Sequence, residues 1–219
     1  MFIGHFGVGF GAKRIAPRVS LGTLFLAAQF IDLLWPTFLL LGLERARIVP
    51  GLMAASPLDF EHYPISHSLL AVFGWALLVA LSHFFAKRNG AAAAVLGGLV
   101  VSHWLLDALM HRPDLPLAPG SDLFVGLGGW SSMPLTIALE GTIFAIGVWM
   151  YGRVTTATDA TGRWSFRALV AFLALIQAAN LFGSPPPSVD AIAWVGQSQW
   201  LIVAWGYWVD GHRRGVGGF

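Results

Sequence analysis

Apolar residues run along this chain in blocks too long for the strands or amphipathic helices of a water-soluble domain. The blocks cover approximately 20–43, 66–86, 91–111, 131–152, 166–184 and 191–210. A hydrocarbon core about 30 Å thick takes roughly 20 residues of helix to cross, so each block predicts one span, about six in all. Charge, Pro or Gly closes the blocks: Glu44 and Arg45, Lys87 to Gly90, Arg112-Pro113, Arg153, and Ser184 before Pro185 to Pro187. Neither an internal repeat nor a second domain is visible. The pattern predicts one all-α, polytopic transmembrane helix bundle over 1–219, in which 20–152 carries the polar residues and 165–219 adds two further spans. Residues 1–18 do not fit it. Their apolar part, 2–12, is too short to cross, which predicts a surface or re-entrant segment.

Charge gives an independent check on the span count. With six spans and residue 1 inside, Lys13, Arg14, Arg18, Lys87, Arg88, Arg153, Arg163, Arg167, Arg213 and Arg214 share one side. Only Arg45, Arg47 and Arg112 fall on the other, a ratio of ten to three. Basic loops stay in the cytoplasm, so both termini are expected there. Composition agrees. The chain is 56% hydrophobic and 11% charged, with a mean hydropathy of +0.69, where a soluble domain carries about 25% charge. Its ten Trp suit the membrane interface. The net charge of +2 and pI near 9.4 do not point to nucleic acid, because the basic residues are scattered in short groups. The expected partner is the lipid bilayer. With no Cys, disulfides and thiolate metal sites are excluded. No cleavable signal peptide is expected, since Lys13 and Arg14 follow the first apolar run instead of preceding it.

Ionisable residues inside spans are costly and mark function. Asp32 lies mid-way along the first block, His67 opens the second with His62 five residues before it, and Glu140 is well inside the fourth. His103, Asp107 and His111 are spaced i, i+4, i+8, which predicts one polar stripe along a helix. Imidazole and carboxylate together suit a divalent ion, most often Zn²⁺, with Mn²⁺ also accepted. A structural polar network explains the same residues without a metal. His83 and His212 lie apart and carry no such expectation. Gly7, Gly9 and Gly11 ahead of Lys13 look like a phosphate loop, but no Gly-Lys-Ser/Thr follows, and close backbone packing is the better reading. No Gly-x-Ser-x-Gly elbow is present.

Several short pieces resemble the YdjM-like bacterial inner-membrane family, described as metal-dependent hydrolases. They are Gly4-His5, Asp32 with Trp35-Pro36, His62 through Ile65-Ser66-His67-Ser68, Ser102-His103-Trp104 through Asp107, and Leu115-Pro116-Leu117. The order of ligands also resembles that of zinc-dependent phospholipases C. The resemblance implies a divalent metal held by His5, Asp32, His67, His103 and Asp107, in a bacterial inner membrane. It departs from the family pattern where Asp32-Leu33-Leu34-Trp35 lacks a second Asp, which puts a second metal in question.

These readings combine into an expectation: an integral-membrane, metal-dependent hydrolase of an ester or phosphoester, lipid-like substrate. Glu140 or His111 would be its general base or an orienting partner, with His62 facing the substrate. Two rivals stand beside it. One is a proton- or metal-ion-linked transporter, against which the sequence shows no counterpart to the Pro36 kink in a second half. The other is a scaffold whose polar or metal site is purely structural.

Overall fold

The computed structural model describes residues 1–216. Helix α1 (Ile3–Ala12) is followed by α2 (Leu21–Ala28) and α3 (Phe30–Leu40). A hairpin of β1 (Arg45–Ile48) and β2 (Leu58–His62) leads into the single turn α4 (Pro64–His67) and the long helices α5 (Leu69–Lys87) and α6 (Gly90–Met110). The ribbon β3 (Leu115–Pro116) with β4 (Phe124–Val125) and a 3₁₀ turn (Gly129–Ser131) connect to α7 (Met133–Val154). Then come β5 (Thr155–Ala157), α8 (Ala160–Phe182), α9 (Val189–Gln197), α10 (Gln199–Gly211) and β6 (Arg213–Gly215). The fold is an all-α membrane bundle. Its β pairs are short antiparallel clasps in the connections.

Side-chain caps set the helix starts. Ser68, Asn89, Ser132, Asp159 and Ser188 each accept a hydrogen bond from the backbone N–H three residues on, which satisfies an otherwise orphaned donor. Arg88 ends α5 in the left-handed region at φ 53°, turning the chain sharply into α6. Helix α5 buries only Val72 and Ala76 and exposes Leu70, Phe73, Leu77 and Leu78. In water such a face would be a liability, whereas lipid matches it.

The span count is lower than the six expected. Four helices (α5, α6, α7 and α8) are long and apolar enough to cross unbroken, and α2 with α3 makes a fifth only as a pair bent by 57°. The last block is two short helices that break at Ser198, not one continuous helix. The bend in the first block falls at Gln29, not at Pro36, which sits inside α3. These two broken elements pack on each other, α2 against α10 and α3 against α9. Gly22 sits against Tyr207 and Gly206, and Gly196 against Pro36.

Helix α1 lies inside the bundle: nine of its ten residues are buried. It packs on α7, α2 and α6. Gly7 explains the closeness, since a Cβ there would meet the Ile143 carbonyl oxygen of α7 at 2.7 Å. Gly7 and Gly9 therefore serve packing, with α1 lying within the bundle and not on its surface. The helix starts beside Glu140 and runs to the bundle end that holds Lys13. Following the helix directions, that end also carries the α5–α6 turn and the β5–β6 clasp; the β1–β2 hairpin caps the opposite end. At the basic end, the Gly162 N–H and His212 hold the Asp159 carboxyl below the usual carboxylate range.

Candidate metal centre

Five of the predicted polar residues meet in the interior. His103 Nε2 lies 3.2 Å from Asp107 Oδ2 and 3.6 Å from Asp32 Oδ1. His67 Nε2 lies 3.6 Å from Asp32 Oδ1 and 3.8 Å from Asp107 Oδ2. His5 Nε2 is 3.1 Å from Asp107 Oδ1, and its ring stacks on His103 at 3.6 Å between centroids. The Met1 nitrogen, also buried, is 2.6 Å from Asp107 Oδ1. Two overlapping groups, His5–His103–Asp107 and Asp32–His67–His103, have the spacing of a cation site.

The partners of the other ring nitrogens fix the tautomers. The bend after α2 directs the Ala28 carbonyl toward α6, where it accepts from His103 Nδ1 at 2.8 Å. Ser66 Oγ donates to Glu44 Oε2 at 2.5 Å and so accepts from His67 Nδ1 at 2.7 Å. Glu44 is itself held by the N–H groups of Ile65 and Ser66, both at 2.8 Å. With hydrogen on Nδ1, the neutral form of each ring presents its Nε2 lone pair to the carboxylates. His103 Nε2 is buried with no hydrogen-bond partner. Lone pairs facing carboxylate oxygens at this range repel unless positive charge lies between them. Two oriented imidazoles, two carboxylates and outer partners that hold them are what a divalent cation requires. The residues fit such an ion, with His67, His103, Asp32 and Asp107 to hold it.

The remaining predicted residues take other places. His111 leaves the stripe: α6 ends at Met110, and His111 is extended at φ −64°, ψ 149°. Its Nδ1 lies 3.0 Å from Asp114 Oδ1, which also accepts from Tyr63 OH, and its ring packs on Trp130 at 4.4 Å. Glu140 Oε2 accepts from the backbone N–H groups of Phe2 at 2.8 Å and Gly4 at 3.4 Å. It thereby balances the positive end of α1. His62 is exposed at the end of β2, opposite Arg45. Sequence reasoning missed Glu44, seen there only as a block boundary, and the aromatic residues Trp35, Phe60 and Trp130. The Ser66-His67 pair was the one local signal for the Glu44 relay.

The centre forms the floor of a cavity of about 780 Å³. Asp32, His67, Asp107 and Glu140 reach it from below, Trp35, Phe60, His111 and Trp130 from one side, and Phe172, Ile176, Ile192 and Val195 from the apolar other side. At the far end of the bundle Lys13 Nζ pairs with Asp210 Oδ2 at 2.7 Å, and Tyr151 OH donates to Asp210 Oδ1 at 2.9 Å. Between centre and pair lie Phe6, Phe10 and Phe25, all fully buried.

The chain is similar to the phosphite transport system permease protein PtxC of Stutzerimonas stutzeri, at 31% identity over 143 residues, or 61% of this chain and 50% of that one. It spans about half the length of the curated relative it matches. No family model and no solved structure matches it. The permease relative overturns the hydrolase expectation and makes the transport alternative the better-supported one. In the structure the last block, like the first, is interrupted, at Ser198 between α9 and α10.

Proposed function

We propose that this chain is a metal-ion-linked membrane transporter whose buried Asp32–His67–His103–Asp107 centre receives a divalent cation. The observation that carries the reading is the position of that centre beside two broken helices packed on one another. Broken helices at mid-depth are where transporters bind ions, because freed backbone groups and helix ends are available there. Pro36 has no N–H, and the Asp32 carbonyl one turn before it accepts from Gln199 Nε2 of α10 at 3.3 Å. Gln197 Nε2 of α9 donates to Thr37 Oγ1 at 2.8 Å. Movement of one broken pair is thereby tied to the other and to Asp32.

The charges suit a cation entering from the cavity. Asp32 and Asp107 supply the negative charge that meets it, part of which the Met1 nitrogen 2.6 Å from Asp107 Oδ1 already balances, and the two histidines replace part of its water. The Phe6–Phe10–Phe25 layer and the Lys13–Asp210 pair close the opposite exit. The permease relative supports transport as the activity. The ten-to-three distribution of basic residues supports placing the Lys13 end at the cytoplasmic face of a bacterial inner membrane.

The test is flux in proteoliposomes loaded with a metal-sensitive dye, with a pH dye in parallel. Mn²⁺ or Zn²⁺ should enter with the wild-type chain and not with Asp107→Asn. Proton movement without metal movement would replace the metal by a proton as the transported charge. No flux of either would sink the reading.

A further inference from the structure

The cavity is far larger than a cation needs. A water molecule's share of liquid volume is about 30 Å³, so some 780 Å³ holds many times an ion with its remaining waters. Three of the residues that line the cavity each carry a buried polar atom with no hydrogen-bond partner: Trp35 Nε1, Gln177 Oε1 and Gln199 Oε1. Trp35 is 8% and Gln177 7% exposed. Trp35 lies on the same helix as Asp32, three residues on, and its ring centroid is 6.4 Å from that of His67. Gln199 already bonds the Asp32 carbonyl through Nε2. Trp35 and Gln199 are thus next to residues of the cation centre, and Gln177 lines the same cavity from α8. Water is a poor filler for such a wall, because it needs two to four polar partners and α8 and α9 offer mostly apolar ones.

We propose that the cavity binds the cation together with a protonated phosphorus oxyanion, and that Trp35, Gln177 and Gln199 recognise it. This rests on the cation centre assigned to transport. One oxygen of the anion would complete the coordination of the metal and another would accept from Trp35 Nε1. Its P–OH would donate to a glutamine Oε1. The hydroxyl decides the class. Sulfate and simple carboxylates are fully deprotonated near neutral pH and have no hydrogen to offer two acceptors. A monoanion also adds only one negative charge beside Asp32 and Asp107. The same group occurs as free phosphate and as the phosphate head of a lipid, whose chain would lie along Phe172, Ile176 and Val195.

The experiment is calorimetric binding to the full chain in nanodiscs, with and without saturating Mn²⁺, using inorganic phosphate, sulfate and lysophosphatidic acid. Phosphate should bind only with Mn²⁺ present and at least tenfold more tightly than sulfate. Trp35→Phe keeps the ring but removes the donor. It should weaken phosphate about tenfold, the usual worth of a hydrogen bond to a charged group, with Mn²⁺ stoichiometry unchanged as the sign of an intact fold. Gln199→Leu repeats the test from the acceptor side. Binding of phosphate alone assigns the free ion, and tighter binding of lysophosphatidic acid assigns the lipid head. If Mn²⁺ binds but neither phosphate probe does, or sulfate binds equally well, the oxyanion site is overturned and the transport reading stands. If Mn²⁺ itself does not bind, both fall.

Discussion

His103 on α6 gives its Nδ1 hydrogen to the carbonyl oxygen of Ala28, 2.8 Å away at the last residue of α2. The bend between α2 and α3 and the orientation of the imidazole are therefore one feature. Replacing His103 removes a ligand and the partner of that carbonyl together. His103→Ala should lower bound Mn²⁺ or Zn²⁺ from about one equivalent to a small fraction of it, measured by elemental analysis of purified protein. His103→Gln should lose the metal too, yet remain closer to wild type in thermal stability, because its amide can still donate to Ala28. Full metal content in both variants would remove His103 from the centre.

Glu44 and Ser66 touch no candidate metal position, yet they decide which nitrogen of His67 faces the cavity. Removing such an orienting partner typically costs 10- to 100-fold in metal affinity. Ser66→Ala should show a loss of that order in a competition titration with a chelating dye. Glu44→Gln should cost less, since its amide can keep one bond to Ser66. Equal affinity in all three proteins would mean that packing, including the Trp104 Nε1 bond to the His67 carbonyl at 2.8 Å, orients the ring without the relay.

The hydropathy of the chain was enough to locate the long apolar helices α5, α6, α7 and α8, and it set off Asp32, His67, His103 and Asp107 as polar residues within or at the ends of apolar blocks, while His5 came only from the family resemblance. It could not show where the helices break. Gln29 and Ser198 are ordinary helix residues, and the chain bends at Gln29 although the only proline of that block, Pro36, stays inside α3. Those bends are set by packing between segments some 170 positions apart in sequence, such as Gln199 with Asp32. The polar stripe was legible over His103 and Asp107 but overreached at His111, because the i, i+4, i+8 rule assumes a helix that continues. Here the helix stops one residue earlier, where Asp114 and Tyr63 offer His111 better partners.

Glu140 sits within α7, and its bonds to the N–H groups of Phe2 and Gly4 identify it as the cap of α1. Glu140→Leu leaves buried N–H groups without an acceptor, at about 1–3 kcal/mol for such a group. The variant should unfold earlier in denaturant, by roughly that amount. Glu140→Gln retains an acceptor oxygen and should fall between it and wild type in stability while keeping most flux. A proton-carrying Glu140 gives the opposite ranking, with Glu140→Gln as inactive in flux as Glu140→Leu.

Lys13 and Asp210 close the end of the bundle away from the cavity, and both are largely buried. Breaking one side of a buried pair typically costs about 3–5 kcal/mol, because the charge left behind has neither water nor partner. Here Lys13 would keep only the Val19 carbonyl, 2.8 Å away, and Tyr151 would lose its acceptor if Asp210 were removed. In a transporter this pair must open for the cation to leave, so weakening it should favour the open state. The absence of cysteine allows a clean reporter. A single Val19→Cys, buried beside Lys13, should react slowly with a membrane-impermeant maleimide in the parent. Asp210→Asn should speed the reaction at least tenfold, and the exchanged pair Lys13→Asp with Asp210→Lys should slow it again. Unchanged labelling in Asp210→Asn, with metal flux still present, would make the pair a static staple and place the gate in the Phe6–Phe10–Phe25 layer instead.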